Sequence, residues 1–178
     1  EPERECIRNF VMKVYYKSPE VFDSVFSIKK INEIFEEVQR LPYTYGEQDN
    51  RDTPPTGMIS EMSLAQKTST VKTLTEFYKT TEYFKKFPCL SRAYVNMFSP
   101  GEVPYYHTDG ACMTMIYYAN SVWDWDEGGE TKIINYGDNT VDSIPPIPGR
   151  GLIFDGKHKH TATSFRSSHR FTVALKYH

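Results

Sequence analysis

A chain of 178 residues is long enough for one domain that buries about two-thirds of its unfolded surface. Its formal charge of −2 argues against a polyelectrolyte that binds through net charge, so nucleic acid is not the expected partner. The three cysteines, Cys6, Cys89 and Cys112, contain no Cys-x-x-Cys pair, which excludes a zinc knuckle or a dense disulfide framework. No apolar run approaches the roughly eighteen residues that span a membrane, and no signal-peptide pattern opens the chain. Together these features predict a cytoplasmic protein without a membrane partner.

Residues 6–16 read as a weak strand. Over residues 28–41, Ile28, Ile31, Ile34, Phe35, Val38 and Leu41 recur at helical spacing, and Pro42 ends the pattern. Residues 43–63 are polar and turn-rich, with Pro54, Pro55 and Gly57, and read as a lid over a site. A second helix is predicted over 69–87, where Val71, Leu74, Phe77, Tyr78 and Phe84 share one side.

From Ser91 the texture changes. Short aromatic and β-branched runs alternate with Gly, Pro and Asp turns over 92–98, 112–119, 130–135, 140–144, 151–155, 158–164 and 170–177. Strands this short and evenly spaced predict an antiparallel sandwich or barrel. The expected fold is mainly β with flanking helices. One domain spans 1–178: residues 1–90 supply helical support packed on the sheet and the lid, and 91–178 form a jelly-roll core that carries the chemistry.

Within that core, His107 and Asp109 stand at i and i+2, so on an extended segment both side chains reach the same face. His160 supplies a third donor from a different strand. Two imidazoles and a carboxylate suit Fe(II) and leave positions open for co-substrate and O₂. His158, two residues before His160, is a rival third ligand; His160 is preferred because it stands ten residues before Arg170. An Arg there can grip the far carboxylate of a co-substrate. A carboxylate at 109, rather than a small residue, favours hydroxylation over halogenation. The same ligands could hold zinc in a hydrolase, but that reading leaves Arg170 without a role. His169 and His178 read as surface or structural. Arg150, Lys157, Lys159, Arg166 and Arg170 form a local basic cluster around the second His.

The runs HTD (107–109), CMTMIYYAN (112–120), WDWDEGGETKI (123–133), RGLIFDGKHKH (150–160) and RFTVALKY (170–177) resemble the catalytic core of the 2-oxoglutarate- and Fe(II)-dependent oxygenases. Within that superfamily they are most similar to prolyl 4-hydroxylases, including the oxygen-sensing ones. The resemblance covers about residues 91–177. It implies a double-stranded β-helix core and hydroxylation coupled to decarboxylation of 2-oxoglutarate. The implied cofactors are Fe(II), 2-oxoglutarate and O₂, with ascorbate as a candidate reductant. Arg170 would pair with the far carboxylate of 2-oxoglutarate, with hydroxyls from Thr172 and Tyr117.

Two departures touch the substrate. Oxygen-sensing relatives carry a Tyr just before the Pro-Gly turn that precedes the first ligand, whereas here the run is Asn96–Met97–Phe98–Ser99–Pro100–Gly101. Tyr94 or Asn96 is expected to fill that role. The loop from Asp109 to Cys112 is also shorter. Tyr105, Tyr106, Trp123 and Trp125 are expected to line the open face and receive a proline ring or extended peptide. The leading expectation is therefore a prolyl 4-hydroxylase acting on a protein or peptide. The alternatives are the same chemistry on a free amino acid, another small molecule or an alkylated nucleobase, and a non-catalytic jelly-roll binding module.

Overall fold

The structure, a computed structural model, describes residues 19–178. The strand read over 6–16 lies outside the described residues. In chain order the elements are β1 (Glu20–Phe22), α1 (Ile28–Gln39), β2 (Thr44–Tyr45), β3 (Met58–Glu61), α2 (Ser69–Lys79), β4 (Leu90–Phe98), β5 (Met113–Tyr118), β6 (Thr131–Asn135), β7 (Thr140–Ile144), β8 (Gly151–Asp155), β9 (His160–Ala162) and β10 (Arg170–Tyr177). Short 3-10 turns occupy Glu82–Lys85 and Trp125–Glu127. Seven strands form an antiparallel sheet in the order β1-β8-β5-β10-β4-β3-β2. A second sheet has the order β7-β6-β9. This is the mainly β jelly roll with flanking helices that the strand spacing predicts.

The helices cover the outer face of the large sheet. Ser27 caps α1 by accepting from the Lys30 N–H at 3.3 Å, and Thr68 caps α2 by accepting from the Val71 N–H at 3.3 Å. Ile34 and Val38 of α1 and Val71, Leu74 and Tyr78 of α2 pack on Val95, Met115, Tyr117, Val173 and Leu175 of the strands. Each such buried aliphatic contributes about 1.5–3 kcal/mol. Tyr78 stacks on Tyr177 with ring centroids 3.6 Å apart and clamps α2 to β10. Ile28, expected in the α1 stripe, is instead exposed at the first helical position.

The second helix stops at Lys79, well short of residue 87. Thr80 and Thr81 turn their hydroxyls back onto the Phe77 and Tyr78 carbonyls at 2.7 and 2.8 Å. Those bonds cap the helix end, and the chain continues in the tighter turn Glu82–Lys85. The 43–63 segment also differs from a free lid. Its two ends are β2 and β3, the edge of the large sheet, and only residues 46–57 form a loop.

Strand β10 sits near the centre of the large sheet, and all eight of its residues are buried. Its alternation therefore separates two interiors rather than core from water. Phe171, Val173, Leu175 and Tyr177 face the helices. Arg170, Thr172, Ala174 and Lys176 face a cavity between the sheets. The neighbouring strands obey the same parity, so Arg92, Tyr94, Asn96 and Phe98 of β4 also face inward.

Candidate active site

His107 and His160 are brought together by the backbone itself. Each donates its N–H to the other's carbonyl at 2.9 Å, forming an isolated antiparallel bridge. Residues exchanging both bonds lie opposite one another, with side chains on the same side. The ring centroids are 4.4 Å apart. Asp109 follows in an irregular segment rather than a strand, pinned by its N–H to the Gly156 carbonyl at 2.7 Å. Gly156 must lack a side chain, because a Cβ there would lie 2.8 Å from the Cys112 sulfur and 2.9 Å from two carbonyls.

The three side chains converge. Asp109 Oδ1 lies 3.7 Å from His107 Nε2, and its Oδ2 lies 3.5 Å from His160 Nε2. One donor atom from each residue lies within 4.8 Å of the others. Both tautomers are fixed for ligation. His107 Nδ1 faces the Tyr105 carbonyl at 3.1 Å, and His160 Nδ1 faces the His158 carbonyl at 2.8 Å. A carbonyl only accepts, so each Nδ1 carries the proton and each Nε2 lone pair points at the site. This donor set fits a divalent iron with open coordination positions. His158 takes part through its backbone carbonyl, and its side chain is not in the cluster.

The electrostatics keep Asp109 and His160 in ligating form. Burial acts to raise the Asp109 carboxyl, but Lys176 and then His160 outweigh it and hold it down at about 2. Burial lowers His160 to about 4, against the opposing pull of Asp109. His160 is therefore neutral in the folded chain while it would protonate near 6.5 when unfolded. Over that window the unfolded state binds more protons, so stability falls as pH falls. Thermal melts of the metal-free protein should show this loss between about pH 6.5 and about pH 4. His160→Gln should flatten that part of the profile.

At the other end of the cavity lies Arg170, 1% exposed. Its Nε donates to the Gly129 carbonyl at 2.7 Å, Nη2 to Thr131 Oγ1 at 3.2 Å and Nη1 to Thr172 Oγ1 at 3.4 Å. Its guanidinium lies 5.6 Å from the Tyr118 ring centroid. Burial lowers its pKa to about 10, a shift that leaves it charged at neutral pH. Among the described residues no carboxylate forms an ion pair with it. Gly129 makes this anchor possible. At φ 86° it adopts a backbone that L side chains rarely take, and an added Cβ would meet the Phe165 ring at 2.1 Å.

The cavity, about 400 Å³, is lined by His107, Asp109 and His160 together with Arg170, Thr172, Asn96 and Tyr94. Tyr117 is a correction. It faces the helices, packs on Phe26 at 5.8 Å and lies outside the cavity. The next residue, Tyr118, occupies the inward face, and its hydroxyl donates to Thr131 Oγ1 at 2.8 Å. Tyr105, Tyr106, Trp123 and Trp125 do not line the cavity. Trp123 is held by its indole N–H on the Gly128 carbonyl at 2.8 Å and stacks edge-on against exposed Trp125, beside a separate shallow groove. His178, read as surface or structural, reaches the cavity wall. The basic cluster does not gather on one surface: Arg150 pairs with Asp23 at 2.7 Å, and Arg170 is internal.

Sequence reasoning missed Asp49, Thr114, Tyr118, Thr131 and Lys176. Asp49 comes from the 46–57 loop. Its Oδ2 accepts from the Tyr105 N–H and the Thr56 hydroxyl at 2.8 Å each, and its Oδ1 lies 3.4 Å from His107 Nδ1. Asn50 adds a bond to the Tyr106 carbonyl at 3.1 Å. The loop thus fixes the segment carrying the first ligand. Partners behind a metal-bound His are worth about 10–100-fold in affinity. Asp49→Ala should weaken Mn(II) binding by about tenfold, read by anaerobic titration.

Residues 95–178 match the family model described as the 2OG-Fe(II) oxygenase superfamily. That stretch, which holds His107, Asp109, His160 and Arg170, is thus similar to that superfamily. No curated protein sequence matches. Among the solved structures that share the fold are the following three. One is a prolyl hydroxylase from Trichoplax adhaerens in complex with a hypoxia-inducible-factor peptide fragment: TM-score 0.70, 17% identity, covering 89% of this chain and 82% of that one. A Pseudomonas putida prolyl-4-hydroxylase gives TM-score 0.74 at 13% identity, covering 89% and 91%. The viral collagen prolyl hydroxylase of Paramecium bursaria Chlorella virus-1, in its 2OG complex, gives 0.66 at 16%, covering 90% and 96%. Among the described residues no helix is long and apolar enough to cross a membrane.

Proposed function

We propose that this domain couples oxidative decarboxylation of 2-oxoglutarate to hydroxylation of a C–H bond, with a peptidyl proline as the substrate. The observation that carries the reading is a fully buried guanidinium with no carboxylate in ion-pair contact among the described residues, Glu130 acting on it only from beyond that contact, in the same cavity as a His–Asp–His cluster. A buried charge needs an opposite charge. A dicarboxylate that reaches from Arg170 to a metal at the triad meets that need.

His107 Nε2, Asp109 and His160 Nε2 would hold Fe(II). Arg170 would fork onto the far carboxylate through the second N–H on each of its terminal nitrogens, with Thr172 and Thr131 beside it. Bound iron would activate O₂, the oxidant, with 2-oxoglutarate giving up two electrons as it loses CO₂ and the substrate C–H bond giving up the other two; this is the part of the chemistry the protein cannot make itself. The chain's own contribution is orientation and exclusion of water. Tyr118, Ile133, Ile144, Leu152 and Phe154 pack as a dry cluster beside the guanidinium. Tyr94 and Asn96 form part of the cavity wall, while Tyr105 and Tyr106, which adjoin His107 in sequence, and Trp123 and Trp125, beside the separate groove, remain candidate substrate contacts outside it.

A second reading, hydroxylation of a free amino acid or another small molecule, is favoured by the loop 46–57. Its bonds to the Tyr105 and Tyr106 backbone hold it beside the first ligand, and Glu47, Gln48, Asp49 and Thr56 of this loop take up part of the cavity wall. One experiment separates the two. Anaerobic protein is loaded with Fe(II) and 2-oxoglutarate, O₂ is admitted, and succinate is quantified with a proline-rich peptide, with free amino acids, and with neither. Peptide-stimulated succinate with one added oxygen on proline supports the leading reading. Stimulation by a free amino acid moves the reading to small substrates, and no succinate under any condition refutes both.

A further inference from the structure

Lys176 is the other buried cation of the cavity, and the proposed chemistry does not use it. It lies on the inward face of β10, six residues beyond Arg170, at the metal end. Its ammonium pairs with Asp109 Oδ2 and also donates to Thr114 Oγ1 at 3.2 Å. The Thr114 hydroxyl in turn donates to the same Oδ2 at 2.6 Å. Directly across the sheet is Arg92, which is neutralised by Glu47 and Glu61. Asp109 is thus the carboxylate that balances Lys176 among the described residues.

We propose that Lys176 is a built-in counter-cation for Asp109, which holds the ligand carboxylate in place without metal and competes with a divalent cation for its charge. The inference rests on the triad being a metal site. A buried carboxylate with no cation is costly, so in the metal-free chain Lys176 stabilises the site. Once a divalent ion binds Asp109, the ammonium stands a few ångströms from a doubly positive centre, and the two repel. Outer partners that accept a proton from a ligand make it a better donor. An ammonium on the carboxylate does the reverse. The site is therefore pre-shaped but only moderately avid, and its occupancy follows the free metal concentration.

The test uses the metal-free full chain under argon and Mn(II), a redox-stable probe. Lys176→Met keeps the length of the side chain and removes the charge. It should bind Mn(II) at least about tenfold more tightly than the parent, while its metal-free form melts at a lower temperature. Lys176→Arg should restore both values toward the parent. Thr114→Val, which removes a neutral bond to the same oxygen, should not tighten binding, so it separates charge from positioning. If Lys176→Met does not fold without metal, Lys176→Gln serves in its place. Equal or weaker Mn(II) binding by the folded neutral variant overturns the proposal while leaving the metal site standing. If the parent binds no Mn(II), the metal reading and the proposal fall together.

Discussion

Arg170→Met should raise the dissociation constant for 2-oxoglutarate on the order of a hundredfold. The guanidinium is completely buried and its internal partners are all neutral oxygens: the Gly129 carbonyl and the hydroxyls of Thr131 and Thr172. Removing one partner of a buried, hydrogen-bonded charge pair costs about 2–5 kcal/mol, because the remaining charge stays desolvated. Here that remaining charge is the far carboxylate of the co-substrate. The effect is best read anaerobically by calorimetry on Mn(II)-loaded protein, where turnover cannot intervene. Arg170→Lys should recover only part of the loss, since an ammonium cannot reproduce the planar fork. Unchanged binding in the Met variant would remove the central support for a dicarboxylate in this cavity.

Asp109→Ala or His160→Ala should each weaken Mn(II) binding by more than about a hundredfold. The bound outer partner of a ligand is already worth 10–100-fold, and a ligand itself is worth more. The Asp109 variant carries a second consequence, because it leaves Lys176 buried without its carboxylate. Its folded form should also melt earlier than His160→Ala, in which the Lys176–Asp109 pair survives. His158→Ala, measured on folded protein, should keep Mn(II) affinity within a few-fold of the parent, since the site uses the His158 backbone carbonyl and not its ring. A large loss there would return His158 to the ligand set.

Much of the site was legible because its parts lie on elements whose geometry is local. His107 and Asp109 are two residues apart in sequence, although Asp109 lies in an irregular segment and not on a strand. His160 opens β9, and Arg170 opens β10, where strand boundaries were marked by turn residues. The jelly roll was legible for the same reason: seven short β-rich runs separated by Gly, Pro and Asp each became a strand. Helix α2 was misjudged in length because Phe84 continues the apolar period, yet the Thr80 and Thr81 hydroxyls already cap the helix at Lys79.

What could not be read locally was parity and partnership. Tyr117 and Tyr118 are adjacent aromatics on a strand buried on both faces, so alternation of polar and apolar residues was silent about which one looks into the cavity. Only the pairing of β5 with β10, Thr172 opposite Tyr118, settles that Tyr118 shares a face with Arg170. Asp49 stands 58 residues before His107 in a segment with no motif, and Lys176 stands 67 residues after Asp109, in the same run as Arg170 but with nothing local to mark its partner. Sequence by itself determined the chemistry-bearing types and their spacing along single strands, because a strand's period of two is a property of the backbone. The tertiary structure alone decided which charges meet, because burial of an ion depends on what the rest of the fold places opposite it.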